Sequence, residues 1–443
     1  MSRFRDGDLY CWAVAGLLSG CYAVAFIDRA LINVASQPIK QGLGLSDTEF
    51  GLLSGTAFSL VYAFGGLPLG WLADRLNRRA MIAFAILFWS AMTAACGFST
   101  SFGTFFAARV MVGLGEACLL PAAVSLLGAI VPERGRARSI GIFLMGSAIG
   151  NAAALLGGGH LLTRLSQSGP LVLPVIGVMA PWQVLFLLTC PLGLAAAAAV
   201  LAIREPDRAA AASAATPGLR TMIAHIGDHH RAYGFLAGAT CCTVLLAQAQ
   251  AVWLPLYYVR HFGLEPGESA VLIGWLFVAS VPAGQLAGGV LTDRLHAAKV
   301  TGAPHVVITL CVTLALLPAV VFCTTDRLWV SGIAYALFNF LISASTPMGL
   351  VGLQQLTPPS HHGVASALLA SVATLAGVGI GPAAVGFIAD HLFQSPDALG
   401  HSLLAVILAA GLAAPLLALS GRDAFARSVR TLAPEAVQMR PAE

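Results

Sequence analysis

Charge is what this sequence has least of. Only 10% of its 443 residues are charged, against roughly 25% in an ordinary soluble domain, while 58% are apolar. A water-soluble surface is excluded, and with it a nucleic-acid-binding role. The short alternating strands of an outer-membrane barrel are also missing. The apolar runs are continuous, rich in Ala, Leu and Gly, and about 20 residues long, the length of a helix crossing a bilayer. No spaced cysteine framework exists either: all nine cysteines lie in or beside apolar runs, so neither disulfides nor a metal site is expected. Even the adjacent Cys241 and Cys242 point about 100° apart on a helix and read as packing residues. The paired histidines His229-His230 and His361-His362 have no nucleophile, base or metal set nearby, which argues against an enzyme.

What is present is a set of twelve windows long enough to cross ~30 Å of hydrocarbon: roughly 10–36, 48–71, 80–98, 102–130, 138–161, 182–203, 233–259, 268–291, 303–323, 328–351, 363–388 and 400–420. The predicted fold is an all-α polytopic membrane protein with twelve transmembrane helices in two six-helix pseudo-symmetric bundles. The first bundle covers 1–203, a cytoplasmic linker 204–232, the second bundle 233–421 and a cytoplasmic tail 422–443. The apolar stretch from Leu9 is too long for a signal peptide and reads as the first span. Of the 24 Lys and Arg residues, 18 fall in the termini, the linker and the loops after spans two, four and eight. The opposite loops hold four, Lys40, Arg164, Arg260 and Arg327. By the positive-inside rule both termini are cytoplasmic, and the expected location is the inner (plasma) membrane.

The two halves are related. A shift of 219 residues lays Leu45–Arg79 on Leu264–Ala298 with about a dozen identities in 35 positions, among them Gly65 with Gly284, Gly70 with Gly289, Asp74 with Asp293 and Arg75 with Arg294. Parallel internal repeats of this kind mark secondary transporters. The loop after span two reads Gly70-Trp-Leu-Ala-Asp74-Arg75-Leu-Asn-Arg78-Arg79, and its counterpart reads Gly289-Val-Leu-Thr-Asp293-Arg294. These loops, with twelve spans in a 6+6 repeat, resemble the signature of the major facilitator superfamily over essentially the whole chain. The resemblance implies that Gly70, Asp74, Arg75, Gly289, Asp293 and Arg294 gate the cavity, with Asp74 latched to a neighbouring helix end. Arg78 and Arg79 read more simply as topology-setting charges.

Three further stretches resemble the Spinster family: Phe26-Ile27-Asp28-Arg29, Leu45-Ser46-Asp47-Thr48-Glu49-Phe50-Gly51-Leu52-Leu53, and Arg109-Val-Met-Val-Gly113-Leu-Gly115-Glu116-Ala117. That likeness implies movement of lysolipids or sphingoid phosphates, with proton involvement. Gln183, in Ala180-Pro-Trp182-Gln183, stands where a Trp-Arg pair is usual.

Charge inside a span is costly unless paired or wet, so it marks function by default. Arg109 and Glu116 are seven residues apart on span four, on one face, with Gly113 leaving the surface open between them. Counting ~1.5 Å per residue from Ser36 and Ser101 puts Asp28 and Arg109 both ~12 Å deep. The expectation is an Asp28–Arg109 ion pair, with Glu116 two turns deeper, the three forming the proton-coupling and substrate site. Arg29, turned about 100° from Asp28, is expected to snorkel outward and take no direct part. Gln248, Gln250 and Asn339 are further cavity candidates, each equally readable as interhelical glue, as are Asn151 and Gln285. An apolar wall of Trp253, Trp275, Phe277, Phe338 and Phe340 would suit the chain of an amphiphile.

The resulting reading is a proton-coupled carrier working by alternating access, exporting a lysolipid-like amphiphile or another small organic anion. Proton-coupled uptake of a carboxylate metabolite is the alternative, and a non-transporting sensor is disfavoured by a tail with no room for a domain. No cofactor is expected beyond the proton gradient, and no partner beyond substrate, protons and bilayer, the carrier working as a monomer.

Overall fold

The computed structural model describes residues 6–73, 75–173, 177–204, 219–358, 361–395 and 398–438. Eleven of its helical segments are long and apolar enough to cross a membrane, beginning with Leu9–Val34 and ending with Leu399–Leu432. The expected second span is present as three abutting pieces, Asp47–Gly51, a π-helical turn at Leu52–Thr56, and Ala57–Ala73. It completes the twelve.

Its start follows from its sequence. Ser46 caps the helix by accepting from the Glu49 N–H, while Glu49 reaches back to the Ser46 N–H at 2.9 Å, a reciprocal capping box. The breaks within spans follow from proline, whose ring lacks an N–H and crowds the carbonyl four residues earlier. Pro121 splits span four into Phe102–Glu116 and Leu119–Ile130, Pro191 splits span six into Pro181–Leu187 and Cys190–Leu201, and Pro347 splits span ten into Leu328–Ser345 and Met348–Leu356. Glu116 thereby becomes the last residue of a helical segment.

Three extents differ from the windows read in the sequence. The segment between the bundles contains a helix, Leu219–Asp228, and the seventh span already starts at His230. The final helix runs on as Leu399–Gln438, well past Gly421, because the Ala- and Arg-rich sequence there keeps good helix propensity. Between spans five and six, Leu171–Leu173 and Gly177–Met179 pair as a short antiparallel hairpin with Val172 opposite Val178. All nine cysteines are free.

The chain divides into two compact units, Met1–Ser213 with Leu254–Trp275, and Ala214–Trp253 with Leu276–Glu443. Within the first, span four meets span two so closely that a Cβ on Gly113 would lie 2.4 Å from the Phe58 carbonyl oxygen. Within the second, span eight meets span ten in the same way, a Cβ on Gly284 falling 2.2 Å from the Phe340 carbonyl oxygen. Only glycine permits such helix contacts.

Candidate functional site

Asp28, Arg29, Arg109 and Glu116 stand within spans of the first unit, and their pairing differs from the one expected. Arg29 of span one forms an ion pair with Glu116 of span four through its Nε. No Asp28–Arg109 ion pair forms. Asp28 is fully buried and turns toward span three, where the Thr93 hydroxyl donates to its Oδ2 at 3.3 Å; Oδ1 has no hydrogen-bond partner. Arg109 is buried as well, and its Nε and Nη1 have no partner among the described residues.

The physical reason lies in the direction of side chains along a helix. Each Cβ tilts toward its own helix's N-terminus. Spans one and four run antiparallel, so Arg29 reaches back along span one toward the end of Phe102–Glu116 where Glu116 sits. Arg109, on that opposite-running segment, reaches away from Glu116. Level Cα depths do not make a pair when the side chains leave in opposite directions.

Aromatic rings hold the pair, and of them only Phe26 lies in a stretch that the sequence singled out. The Arg29 guanidinium carbon stands 4.4 Å from the ring centre of Phe58, 4.6 Å from Phe26 and 4.8 Å from Tyr62. Arg109 is 5.7 Å from the same Phe58 ring. Phe58 therefore sits between two cations, which ring faces attract. Gly113 does not leave the surface open, as expected, but is the point where the Phe58 backbone presses on span four. Glu116 is fully enclosed and its Oε1 unpartnered, whereas the Arg29 side chain keeps 20% exposure. Exposure at the pair is confined to the arginine side chain.

A second charged cluster lies near the start of span two. Asp47 accepts from both terminal nitrogens of Arg260, each at 2.8 Å, and is also paired with Lys40. Burial alone would push the Asp47 carboxyl up, but the Arg260 hydrogen bonds and charge, followed by those of Lys40, hold it below the usual carboxylate range. The sequence placed Lys40 and Arg260 only as scattered loop charges, because nothing in their spacing announces a shared partner 213 residues from Arg260.

The other candidates are dispersed. Gly70 packs toward span four, an added Cβ lying 3.5 Å from Pro121, whereas Gly289 has open space. Asp74 lies outside the described residues. Arg75 is exposed on the turn after span two; Asp293 and Arg294 are exposed and make no hydrogen bond or ion pair among the described residues. Arg79 does more than set topology, donating to the carbonyls of Leu201 and Ile203 at 3.1 and 3.0 Å and so capping span six. Asn339 donates to Ser280 Oγ at 3.0 Å and ties spans ten and eight. Gln250 bonds its own helix at Ala247, and Gln248 is half-buried. Trp253 donates to the Pro382 carbonyl at 2.9 Å, Phe338 is buried and Trp275 is 62% exposed.

Against known proteins, the model of the Major Facilitator Superfamily matches residues 18–382. The chain is 29% identical over 414 residues to an MFS-type efflux pump of Mycolicibacterium smegmatis, covering 91% of each. It is 27% identical to a probable L-galactonate transporter of Escherichia coli, covering 85% of this chain and 83% of that one. With the sphingosine-1-phosphate transporter SPNS2 of Danio rerio it shares 23% identity, over 97% of this chain and 90% of the relative. Its fold matches the crystal structure of a bacterial homolog to the human lysosomal transporter Spinster, inward-facing and unoccupied, with a TM-score of 0.78, 23% identity, and coverage of 96% of this chain and 98% of the other.

Proposed function

Because the chain belongs to the major facilitator superfamily, and is thus a membrane transporter of a small-molecule substrate, we propose that it couples protons to the movement of an organic anion by alternating access. The anionic group binds at Arg29 and Arg109, and its apolar part lies against Phe26, Phe58 and Tyr62. The observation that carries this reading is the Arg29–Glu116 pair, with the carboxylate enclosed and the arginine side chain 20% exposed.

The coupling follows from electrostatics. An anion that draws Arg29 away leaves Glu116 as a lone charge in an apolar interior, at a helix C-terminus where the macrodipole also disfavours it. A proton removes that charge. Proton and anion therefore bind together and travel together, with no cofactor beyond the proton gradient. An inward gradient draws the anion in, and a steeper outward anion gradient drives export.

The solutes for which two relatives are named, L-galactonate and sphingosine-1-phosphate, share an anionic group. The aromatic cage favours an amphiphile of the lysolipid kind. The buried, unpartnered Nε and Nη1 of Arg109 favour a second reading, uptake of a compact carboxylate that would satisfy both. In either case the carrier operates as a monomer in the inner membrane with both termini cytoplasmic, an orientation supported by the distribution of Lys and Arg.

The test is proteoliposomes under an imposed pH gradient, with labelled lysophospholipid and labelled galactonate, wild type beside Glu116→Gln. Transport that follows the gradient in wild type and ignores it in the variant is expected. A wild type that moves either solute without regard to pH, or a variant that still responds, overturns the coupling.

A further inference from the structure

We propose that the second unit holds a phospholipid with an anionic headgroup in a two-part site where its first spanning helix begins. One part is an apolar groove of about 270 Å³ whose lining includes Met222 and Ile226 of the Leu219–Asp228 helix, Leu236 of span seven, and Leu368 and Leu369 of span eleven. The other is a polar recess of about 160 Å³ lined by Asp228, His229, His230, Arg231, Arg427 and Ser428. His230 belongs to both linings. An apolar slot and a cationic recess that share a wall have the polarity of a lipid, chain in one and headgroup in the other.

Charge identifies the headgroup. Arg231 and Arg427 come from different helices, are exposed, and make no hydrogen bond or ion pair among the described residues. Against them stands the single carboxylate of Asp228, so the recess is a net cation with guanidinium donors unused. A phosphodiester supplies the matching acceptors. Basic pockets between membrane helices on the cytoplasmic side take anionic lipid headgroups in this way. His229 Nδ1 is already engaged with Ser428 Oγ at 3.0 Å, which holds span seven and the final helix together beneath the recess.

The groove identifies the rest. Val372, in its lining, is 50% exposed, and Ile223, next to Met222, is 57% exposed. Val372 is on span eleven, which crosses the bilayer, so its exposed side chain faces lipid tails. The Leu219–Asp228 helix then lies at the interface with Met222 turned inward, where an amphipathic helix binds. This site consists of second-unit residues alone and owes nothing to the charged cluster around Arg29.

The test uses the full chain, purified from a bilayer of equal phosphatidylglycerol and phosphatidylcholine, with retained lipid counted by native mass spectrometry. Wild type is expected to keep one phosphatidylglycerol through delipidation. Arg231→Ala with Arg427→Ala should lower that retention at least tenfold, and Ala237→Phe, which fills the groove, should lower it comparably. Arg430→Ala, an exposed charge on the same final helix outside the recess, should leave it unchanged. Equal retention of phosphatidylcholine, or an equal loss in Arg430→Ala, overturns the proposal. So does displacement of the lipid by 10 mM inorganic phosphate alone, which would make the recess a free-phosphate site. Melting temperature in detergent, unchanged across the exposed-arginine variants, separates loss of lipid from loss of fold.

Discussion

In the first repeat, span two meets span four where Gly113 lies against the Phe58 carbonyl. In the second, span eight meets span ten where Gly284 lies against the Phe340 carbonyl. Around the first contact stand Arg29, Glu116, Arg109 and an aromatic cage; near the second, the neutral Asn339 and Ser280 are bonded to each other. Both repeats join these spans through a glycine set against a carbonyl, but the glycine is on span four in the first and on span eight, the counterpart of span two, in the second. A close backbone approach is a scaffold that either repeat can use, and the ionisable chemistry is an addition made to one of them.

Substitutions at the ion pair should separate the repeats most. Arg29→Ala leaves Glu116 buried without its cation, a loss of about 3–5 kcal/mol, read as a fall in melting temperature in detergent. Glu116→Gln in the Arg29→Ala background should recover much of that stability without recovering gradient-driven transport. A double variant as unstable as Arg29→Ala alone would show that the guanidinium is held by its rings rather than by the carboxylate.

Asp47 sharpens the comparison from the other side, because its partner Arg260 comes late in the chain yet belongs to the first unit. Its carboxyl is held below the ordinary range, so the stabilisation is present above the unfolded carboxylate pKa of about 4 and is lost as pH falls through the lower folded value. Asp47→Asn should cost about 1.5–3 kcal/mol at neutral pH, the scale for hydrogen bonds to charged groups, and should flatten the acid limb of a stability-against-pH curve. An acid limb identical to wild type would assign that limb to other carboxylates.

The glycine contacts should then behave alike. Gly113→Ala and Gly284→Ala each drive a Cβ into a carbonyl oxygen, and overpacking of this kind costs about 1–3 kcal/mol. Stability should fall by similar amounts in both, while transport at matched folded protein should suffer more in Gly113→Ala, because displacing Phe58 moves the ring between Arg29 and Arg109. Equal transport in the two variants would remove Phe58 from the substrate path.

The fold was largely legible in the sequence, since span length, Lys and Arg bias and the 219-residue repeat are carried by composition and simple periodicity. The Ser46–Glu49 capping box starts span two, and Pro121 accounts for a break that places Glu116 at a helix end. The pairing within the site was not legible. Depth counted along a helix locates Cα atoms, whereas Arg29 spans the gap with a long side chain directed by the tilt of its own helix. Phe26, Phe58 and Tyr62 were equally hidden, because an aromatic residue in an apolar run carries no mark of which neighbour it will face.

The smallest expected effect is at Asn339, where the two repeats can be compared without charge. Its amide donates to Ser280 at 3.0 Å, and Ser280 in turn donates to the Leu276 carbonyl of its own helix. An interhelical hydrogen bond in a membrane bundle is worth about 0.6 kcal/mol, so Asn339→Ala should lower the melting temperature slightly and leave pH-driven transport intact. Retained transport is what an amide serving as helix glue predicts. A loss comparable to Glu116→Gln would instead place Asn339 in contact with the solute and give the second repeat a share of the chemistry that its lack of buried charge denies it.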